Sequence, residues 1–147
     1  MARVLYKKTS GEGGNTVLRV PIEAGSARHT ERVCIVMACR GAAEAAQVSE
    51  QLSKVNRGCL VTYRRAEDVV LNAPRGKVAL IVLADTDDPR ATHRTLHWMR
   101  RRWPRSTMVV IGDHGGGELE RAARAGGACF LTRPVGADAW SDLIRHV

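Results

Sequence analysis

The sequence predicts an α/β protein built on a five-stranded parallel sheet with helices on both faces. Short apolar runs alternate with amphipathic stretches from Arg32 onward, a pattern typical of a parallel sheet with right-handed crossovers. Residues 78–84 are apolar at all seven positions, as expected for a strand that is buried on both faces. The chain has 147 residues, which is the length of one domain with a substantial core.

Each element follows from a local pattern. The strands are short apolar runs, predicted at residues 33–38, 59–63, 78–84, 108–111 and 128–132. The helices have apolar residues three and four positions apart, and they are predicted at residues 42–55, 66–73, 89–103, 117–125 and 137–147. Pro89 suits the first turn of the third helix, and Pro104 stands just beyond its end. Gly126 and Gly127 close the fourth helix.

The first 31 residues form an extension that differs from the rest, so the main domain is predicted to span residues 32–147. Residues 4–6 and 16–20 resemble short strands, and a glycine-rich turn signal separates them at residues 10–15. These runs predict either a hairpin or a flexible arm. Because a lone hairpin is only marginally stable in water, it would have to pack on the main domain or on a partner.

Composition narrows the classes of function. Apolar residues make up 44% of the chain and charged residues 26%, as in ordinary soluble proteins. No apolar run approaches the roughly 20 residues of a membrane helix, and the N-terminus lacks the pattern of a signal peptide. We therefore expect a cytoplasmic protein that does not enter a membrane. The formal net charge of +8 favours anionic partners.

The four cysteines are expected to be free, buried thiols in a reducing compartment. They are Cys34, Cys39, Cys59 and Cys129. None belongs to a C-x-x-C pair, and three of them fall inside predicted strands. This arrangement favours buried thiols over disulfides or metal ligands.

Two motifs at the predicted carboxyl edge of the sheet suggest a family. Asp85 directly follows the central strand, with Pro89 four positions later, and residues 125–134 read AGGACFLTRP. With the order of elements, these motifs resemble the receiver domain of bacterial two-component response regulators over residues 32–147. The resemblance implies a flavodoxin-like fold with strand order 2-1-3-4-5. It places Asp85 at the phosphoacceptor position and Phe130 at the switch aromatic, for which an ordinary core aromatic is the alternative.

Several positions depart from the family pattern. Met37 and Ala38 occupy the end of the first strand, where the family has two acids that hold Mg²⁺, and neither side chain is an oxygen ligand. Gly112, followed by Asp113, replaces a serine or threonine and offers no hydroxyl to move the aromatic ring. Arg133 replaces a lysine; it keeps the charge but is planar and bulkier. The resemblance therefore implies a degenerate receiver site.

Asp85 has three interpretations. It could form an ion pair with Arg133 across the sheet end, in a cluster that Asp87 and Asp113 could join. It could cap the helix that follows it. It could also accept a phosphoryl group with an unusual metal shell, although such transfer needs charge neutralisation by metal and cation.

The third helix is strongly basic. A stripe on one face is predicted from Arg90, Arg94, His97 and Arg101, and Arg105 would extend it if the helix continued past Pro104. A separate stripe of Leu96, Met99 and Trp103 is predicted to face the sheet. The basic stripe is either a contact surface for phosphates or an acidic partner, with Trp98 available for stacking, or a solvated arginine face. His93 and His97 lack a third ligand, so no metal site is predicted.

These observations predict a single-domain pseudo-receiver that acts as a phosphorylation-independent protein-interaction module in bacterial signalling. It is expected to be neither an enzyme nor a cofactor-binding protein, and its partner is an unidentified signalling protein. The resemblance also implies a homodimer through the fourth helix, fifth strand and fifth helix of the main domain. The alternatives are a phosphorylatable receiver that uses Asp85 and a nucleic-acid-binding module that uses the third helix.

Overall fold

The computed structural model describes residues 5–7, 16–19, 34–55, 59–86 and 88–146. Its strands, in chain order, are β1 Leu5–Lys7, β2 Thr16–Arg19, β3 Cys34–Ala38, β4 Cys59–Tyr63, β5 Val78–Leu83, β6 Thr107–Gly112 and β7 Cys129–Thr132. Its helices are α1 Ala42–Val55, α2 Ala66–Leu71, α3 Pro89–Arg102, α4 Glu118–Ala125 and α5 Ala137–Arg145. Every element predicted for the main domain is present. Among the described helices, none is long and apolar enough to cross a membrane.

The strands form one sheet in the order β1-β2-β4-β3-β5-β6-β7. Four neighbouring pairs are parallel: β4 with β3, β3 with β5, β5 with β6, and β6 with β7. This part of the sheet confirms the predicted fold, since β4-β3-β5-β6-β7 is the order 2-1-3-4-5 of a flavodoxin-like domain. The carboxyl ends of its strands meet at one edge of the sheet, which we call the carboxyl edge. The opposite side, where these strands begin, is the amino edge.

Two strands from the N-terminal extension lengthen the sheet. β1 pairs with β2 in antiparallel fashion, and β2 pairs with β4 with Thr16 opposite Thr62 and Leu18 opposite Leu60. The sheet therefore has seven described strands instead of five, and β4 has a hydrogen-bonded neighbour on each side. Without β2, the outer side of β4 would expose unpaired backbone N–H and C=O groups. The predicted turn at residues 10–15 lies outside the described residues.

The core lies in two layers, one on each face of the sheet. Alternate residues of β3, β5 and β6 point to opposite faces, as the two-residue period of a strand requires. On one face they pack against α1 and α5, where Trp140 is fully buried. On the other they pack against α2, α3 and α4. Leu96, Met99 and Trp103 are buried there, which confirms the predicted inner stripe of α3. Each large side chain buried in this way stabilises the fold by about 1.5–3 kcal/mol.

The cysteines differ in their surroundings. Cys34 and Cys39 are buried and Cys59 is half-buried. Cys129 is exposed, so the expectation of a buried thiol is wrong at that position. The reason is its place on β7, which is the last strand of the sheet and is only partly covered.

Backbone hydrogen bonds fix the loops at the carboxyl edge. The N–H of Ala84 donates to the carbonyl of Ala38 at 2.8 Å, and that of Cys39 donates to Tyr63 at 2.9 Å. The N–H of Arg133 donates to the carbonyl of Gly112 at 2.9 Å. The side chains just after β3, β5, β6 and β7 are therefore held beside one another.

Candidate functional site at the carboxyl edge of the sheet

Asp85 lies just after β5 and is almost fully covered, with 9% of its surface exposed. Burial raises the pKa of its carboxyl group. Hydrogen bonds from the backbone N–H groups of Ala66 and of Asp85 itself, with the positive charge of Arg40, oppose this rise in pKa. The Oδ1 atom has no hydrogen-bond partner in the described part of the chain. Asp85 is therefore a poorly solvated carboxylate.

Asp85 does not cap the helix that follows it, so that prediction is wrong. The N-cap of α3 is Asp88, whose side chain accepts a hydrogen bond from the N–H of Arg90 at 2.9 Å. The Thr92 hydroxyl also donates to the carbonyl of Asp88 at 2.8 Å. The Asp85 side chain instead accepts a hydrogen bond from the N–H of Ala66, the first residue of α2. Backbone N–H groups in the first turn of a helix lack partners within that helix.

Arg133, just after β7, donates hydrogen bonds to three acceptors. Its Nε donates to Glu44 Oε1 at 2.7 Å, and its Nη1 donates to Asp113 Oδ1 at 3.1 Å. Its Nη2 donates to the carbonyl of Ala84. Burial acts to lower the pKa of Arg133, but hydrogen bonds and charges from Glu44 and Asp113 outweigh it and raise that pKa.

The predicted ion pair between Asp85 and Arg133 is therefore wrong. Within the described residues, the carboxylates that bind Arg133 are Glu44 and Asp113. Asp113 does contact Arg133, but in a cluster that lacks the predicted Asp85 pair, whereas Asp87 lies outside the described residues. The fork of the guanidinium explains the arrangement, because its separate N–H groups can address several acceptors.

Glu44 is the site residue that the sequence analysis missed. It lies in the first turn of α1, and its side chain is 25% exposed, against 31% for Arg133 and 68% for Asp113. The Glu44 contact is therefore better shielded from solvent than the Asp113 contact, which is expected to contribute little. The only signal in the sequence is an acid at a helix N-terminus, a common stabilising feature.

The end of β3 offers no carboxylate. Met37 and Ala38 are fully buried in the two core layers. Cys39 follows them, and burial together with the negative charges of Glu44 and Asp85 raises the pKa of its thiol. This effect indicates that the three side chains lie near one another.

The described residues match only in part the Mg²⁺ ion that the fold family implies. Glu44 Oε2, Asp85 Oδ1 and Thr86 Oγ1 are buried and have no partner in the described part of the chain. Mg²⁺ completes its octahedral oxygen shell with water, but the end of β3 supplies no carboxylate to it. Among the described residues, no group of three histidine, cysteine or acidic side chains could hold a metal.

Gly112 leaves room for an aromatic ring at the end of β6. A Cβ atom at this position would lie 2.8 Å from Cζ of Phe130 and 3.1 Å from Cδ2 of Leu119. Phe130 is half-buried and packs against the core layer that contains α3 and α4. Its ring therefore occupies the space that a side chain at position 112 would need.

The basic stripe of α3 faces outward. Arg90, Arg94, His97 and Arg101 are all exposed. Arg105 does not extend the stripe, because α3 ends at Arg102.

Trp98 is not a free stacking platform. It is half-buried, and its ring meets that of Trp103 edge to face at 5.7 Å between centroids. The structure therefore offers exposed arginines on α3, but the adjacent aromatic ring packs inward.

Comparison with known proteins relates the fold to a set of solved structures. No family model and no curated protein matches the sequence. A response regulator from Thermotoga maritima matches with a TM-score of 0.66 and 12% identity, over 78% of this chain and 96% of that one. A CheY-like protein, tadZ, from Pseudomonas aeruginosa PAO1 matches with a TM-score of 0.63 and 18% identity, over 78% and 98%. The beryllofluoride-activated NtrC4 receiver domain dimer matches with a TM-score of 0.63 and 19% identity, over 77% and 93%. At these identities the similarity shows that the chain has the fold of receiver domains.

Proposed function

We propose that this protein is a receiver-like signalling domain that acts as a phosphorylation-independent protein-interaction module. The observation that carries the proposal is the state of Asp85, which stands at the position of the phosphoacceptor but is only 9% exposed. A phosphodonor must reach a carboxylate oxygen in line with the bond that breaks. Asp85 offers little surface for such an approach.

The surrounding charges also support this proposal. Phosphoryl transfer depends on cations that neutralise the charge developing on the transferred group. Arg133 is engaged by Glu44, Asp113 and the carbonyl of Ala84. A phosphoryl group on Asp85 would have to draw the guanidinium away from these partners. The cluster therefore stabilises one arrangement of the edge without phosphate.

Gly112 and Phe130 support the absence of a phosphate-driven switch. Because Gly112 has no hydroxyl, a phosphoryl group on Asp85 would have no side-chain hydrogen-bond donor at position 112 to attract. The Phe130 ring already fills the space beside Gly112. We infer that the surface of α4, β7 and α5 keeps one conformation and is recognised in that state by a signalling partner or by a second copy of the chain.

The test is the mass of the intact protein after incubation with acetyl phosphate and Mg²⁺. We expect no phosphorylated species, while a phosphorylatable receiver treated in parallel gains one phosphoryl group. Asp85→Asn serves as the matched variant. A phosphorylated species that disappears in Asp85→Asn would contradict the proposal.

A phosphorylatable receiver is the second candidate. The observation that favours it is the set of unpartnered buried oxygens on Glu44, Asp85 and Thr86, because such oxygens attract cations or water. The same mass measurement, repeated with Mn²⁺, decides between the two candidates.

The nucleic-acid alternative rests on the exposed arginines of α3. It requires binding that weakens steeply with salt.

A further inference from the structure

A cavity of about 330 Å³ opens at the amino edge of the sheet, where β5 and β6 begin. Its wall includes Lys77 before β5, the segment from Arg102 to Thr107 between α3 and β6, and His146 after α5. The cavity is separate from Asp85 and Arg133, which lie at the carboxyl ends of β5 and β7. Its volume is within the range of small-molecule sites, about 300–1,000 Å³.

The charged side chains among the described residues of this cavity have one sign. Lys77, Arg102 and Arg105 line it, and none of its described lining residues is acidic. In the part of the chain that the structure describes, Arg102 and Arg105 form no ion pair, although the Arg102 guanidinium lies 5.6 Å from the ring centroid of Trp103. A concave surface lined by cations focuses a positive potential and concentrates anions.

Trp103 adds an aromatic ring to the wall of the cavity. The residue is 6% exposed, and the Arg102 guanidinium lies 5.6 Å from its ring centroid. The cavity therefore combines arginine side chains with an aromatic surface.

The segment between α3 and β6 is held in place before any ligand arrives. Arg100 donates to the carbonyls of Pro104 at 3.3 Å, Ser106 at 3.0 Å and Gly127 at 2.9 Å. The Ser106 hydroxyl donates to the carbonyl of Val78. These bonds fix the backbone of the segment that forms part of the cavity wall. Less conformational freedom is then lost when a ligand binds.

We propose that this cavity binds a small ligand that carries a phosphate group next to an aromatic or apolar part. The arginines match a phosphate, because guanidinium groups bind its oxygens through paired N–H donors. Trp103, with Val78 and Ala79 in the same wall, matches an aromatic or apolar part. This site is independent of the proposed function at the carboxyl edge.

The experiment follows the indole N–H signals of the ¹⁵N-labelled chain by NMR during titration with adenosine 5′-monophosphate. We expect the Trp103 signal to move and to saturate in the millimolar range. Trp140 is the internal reference, because its indole N–H already donates to Gln47 Oε1 at 3.1 Å. Adenosine tests the phosphate and is expected to bind at least ~10-fold more weakly, which is the change expected when a charged hydrogen-bonded pair is lost.

Charge-reversal variants test the location. Arg105→Glu and, separately, Arg102→Glu are expected to weaken binding at least ~10-fold. Arg121→Glu makes the same charge change on the exposed surface of α4, outside the cavity, and is expected to leave the affinity nearly unchanged. The proposal is wrong if the Trp103 signal does not move, if adenosine binds equally well, or if Arg121→Glu weakens binding as much as Arg105→Glu. Tight binding of duplex DNA that Arg94→Glu and Arg105→Glu weaken equally would also overturn it, in favour of an extended nucleic-acid surface.

Discussion

Arg133 and Arg100 each hold one edge of the same sheet, but they bind different kinds of partner. At the carboxyl edge, Arg133 binds two carboxylates from distant elements and one backbone carbonyl. At the amino edge, Arg100 binds three backbone carbonyls and, among the described residues, no carboxylate. Arg133 neutralises the charge of carboxylates, whereas Arg100 stabilises the conformation of the loop between α3 and β6.

The difference explains why the two edges offer different chemistry. At the carboxyl edge, Arg133 is already paired with two acids, so less of its positive potential remains for a phosphoryl group. At the amino edge, backbone carbonyls engage Arg100 without cancelling its charge. Its neighbours Arg102 and Arg105 line the cavity, and none of the described residues in its wall is acidic. We therefore expect the amino edge, and not the carboxyl edge, to attract anions.

The largest effect is expected for Arg133→Met. The substitution leaves Glu44, which is three-quarters buried, with an uncompensated charge. Removing one partner of a fully buried pair costs about 3–5 kcal/mol. Since both side chains keep some contact with solvent, we expect a loss of about 2–3 kcal/mol in the free energy of unfolding. Urea denaturation monitored by tryptophan fluorescence measures this loss.

The control is a double-mutant cycle with Glu44→Met. If the pair is the source of the loss, the double variant should be more stable than Arg133→Met alone, because no charge is left without a partner. Additive losses in the double variant would mean that Arg133 stabilises the edge mainly through the carbonyl of Ala84.

A smaller effect, about 1 kcal/mol, is expected for Arg100→Met. The variant loses hydrogen bonds to three carbonyls, but two of these bonds are exposed, so water can replace the guanidinium there. Arg101→Met is the matched control, since Arg101 lies on the exposed stripe of the same helix and should change stability little. A loss as large as that of Arg133→Met would break the distinction between the two edges. The same denaturation assay, run side by side, provides the comparison.

The strands could be predicted from the sequence because their signal is local. Residues 78–84 are apolar throughout, and the structure forms β5 at Val78–Leu83 with five of its six residues buried. α1 begins and ends where the spacing of its apolar residues predicts. Burial on both faces leaves few alternatives for such a run. The position of β1 and β2 in the sheet was harder to predict, because it depends on the pairing of β2 with β4.

The pairing of charges could not be predicted in the same way. Arg133 and Asp113 were identified, but Glu44 was not, since 89 positions separate Arg133 from Glu44. Asp85 follows its strand as predicted, yet it accepts a hydrogen bond from the backbone of Ala66, which has no side-chain signature. Arg100 was passed over because it resembles the other arginines of α3. Its position off the basic stripe was the one available signal.

The smallest effect is expected for Asp85→Asn, and it depends on pH. Burial raises the pKa of Asp85 in the folded state above its ordinary value of 3.8. Its protonated form therefore adds stability below that ordinary value, and this contribution is lost as the pH rises through the folded pKa. At neutral pH burial destabilises the carboxylate, whereas asparagine carries no charge and can still accept a hydrogen bond from the N–H of Ala66. We expect Asp85→Asn to be slightly more stable than the wild type at pH 7, by less than the ~1 kcal/mol of Arg100→Met. The difference should vanish as the pH falls below 3.8, as followed by urea denaturation across a pH series. A variant that is less stable at pH 7 would mean that the attraction between Asp85 and the charge of Arg40 outweighs the cost of burial, and that Arg40 stabilises the carboxyl edge in addition to Arg133.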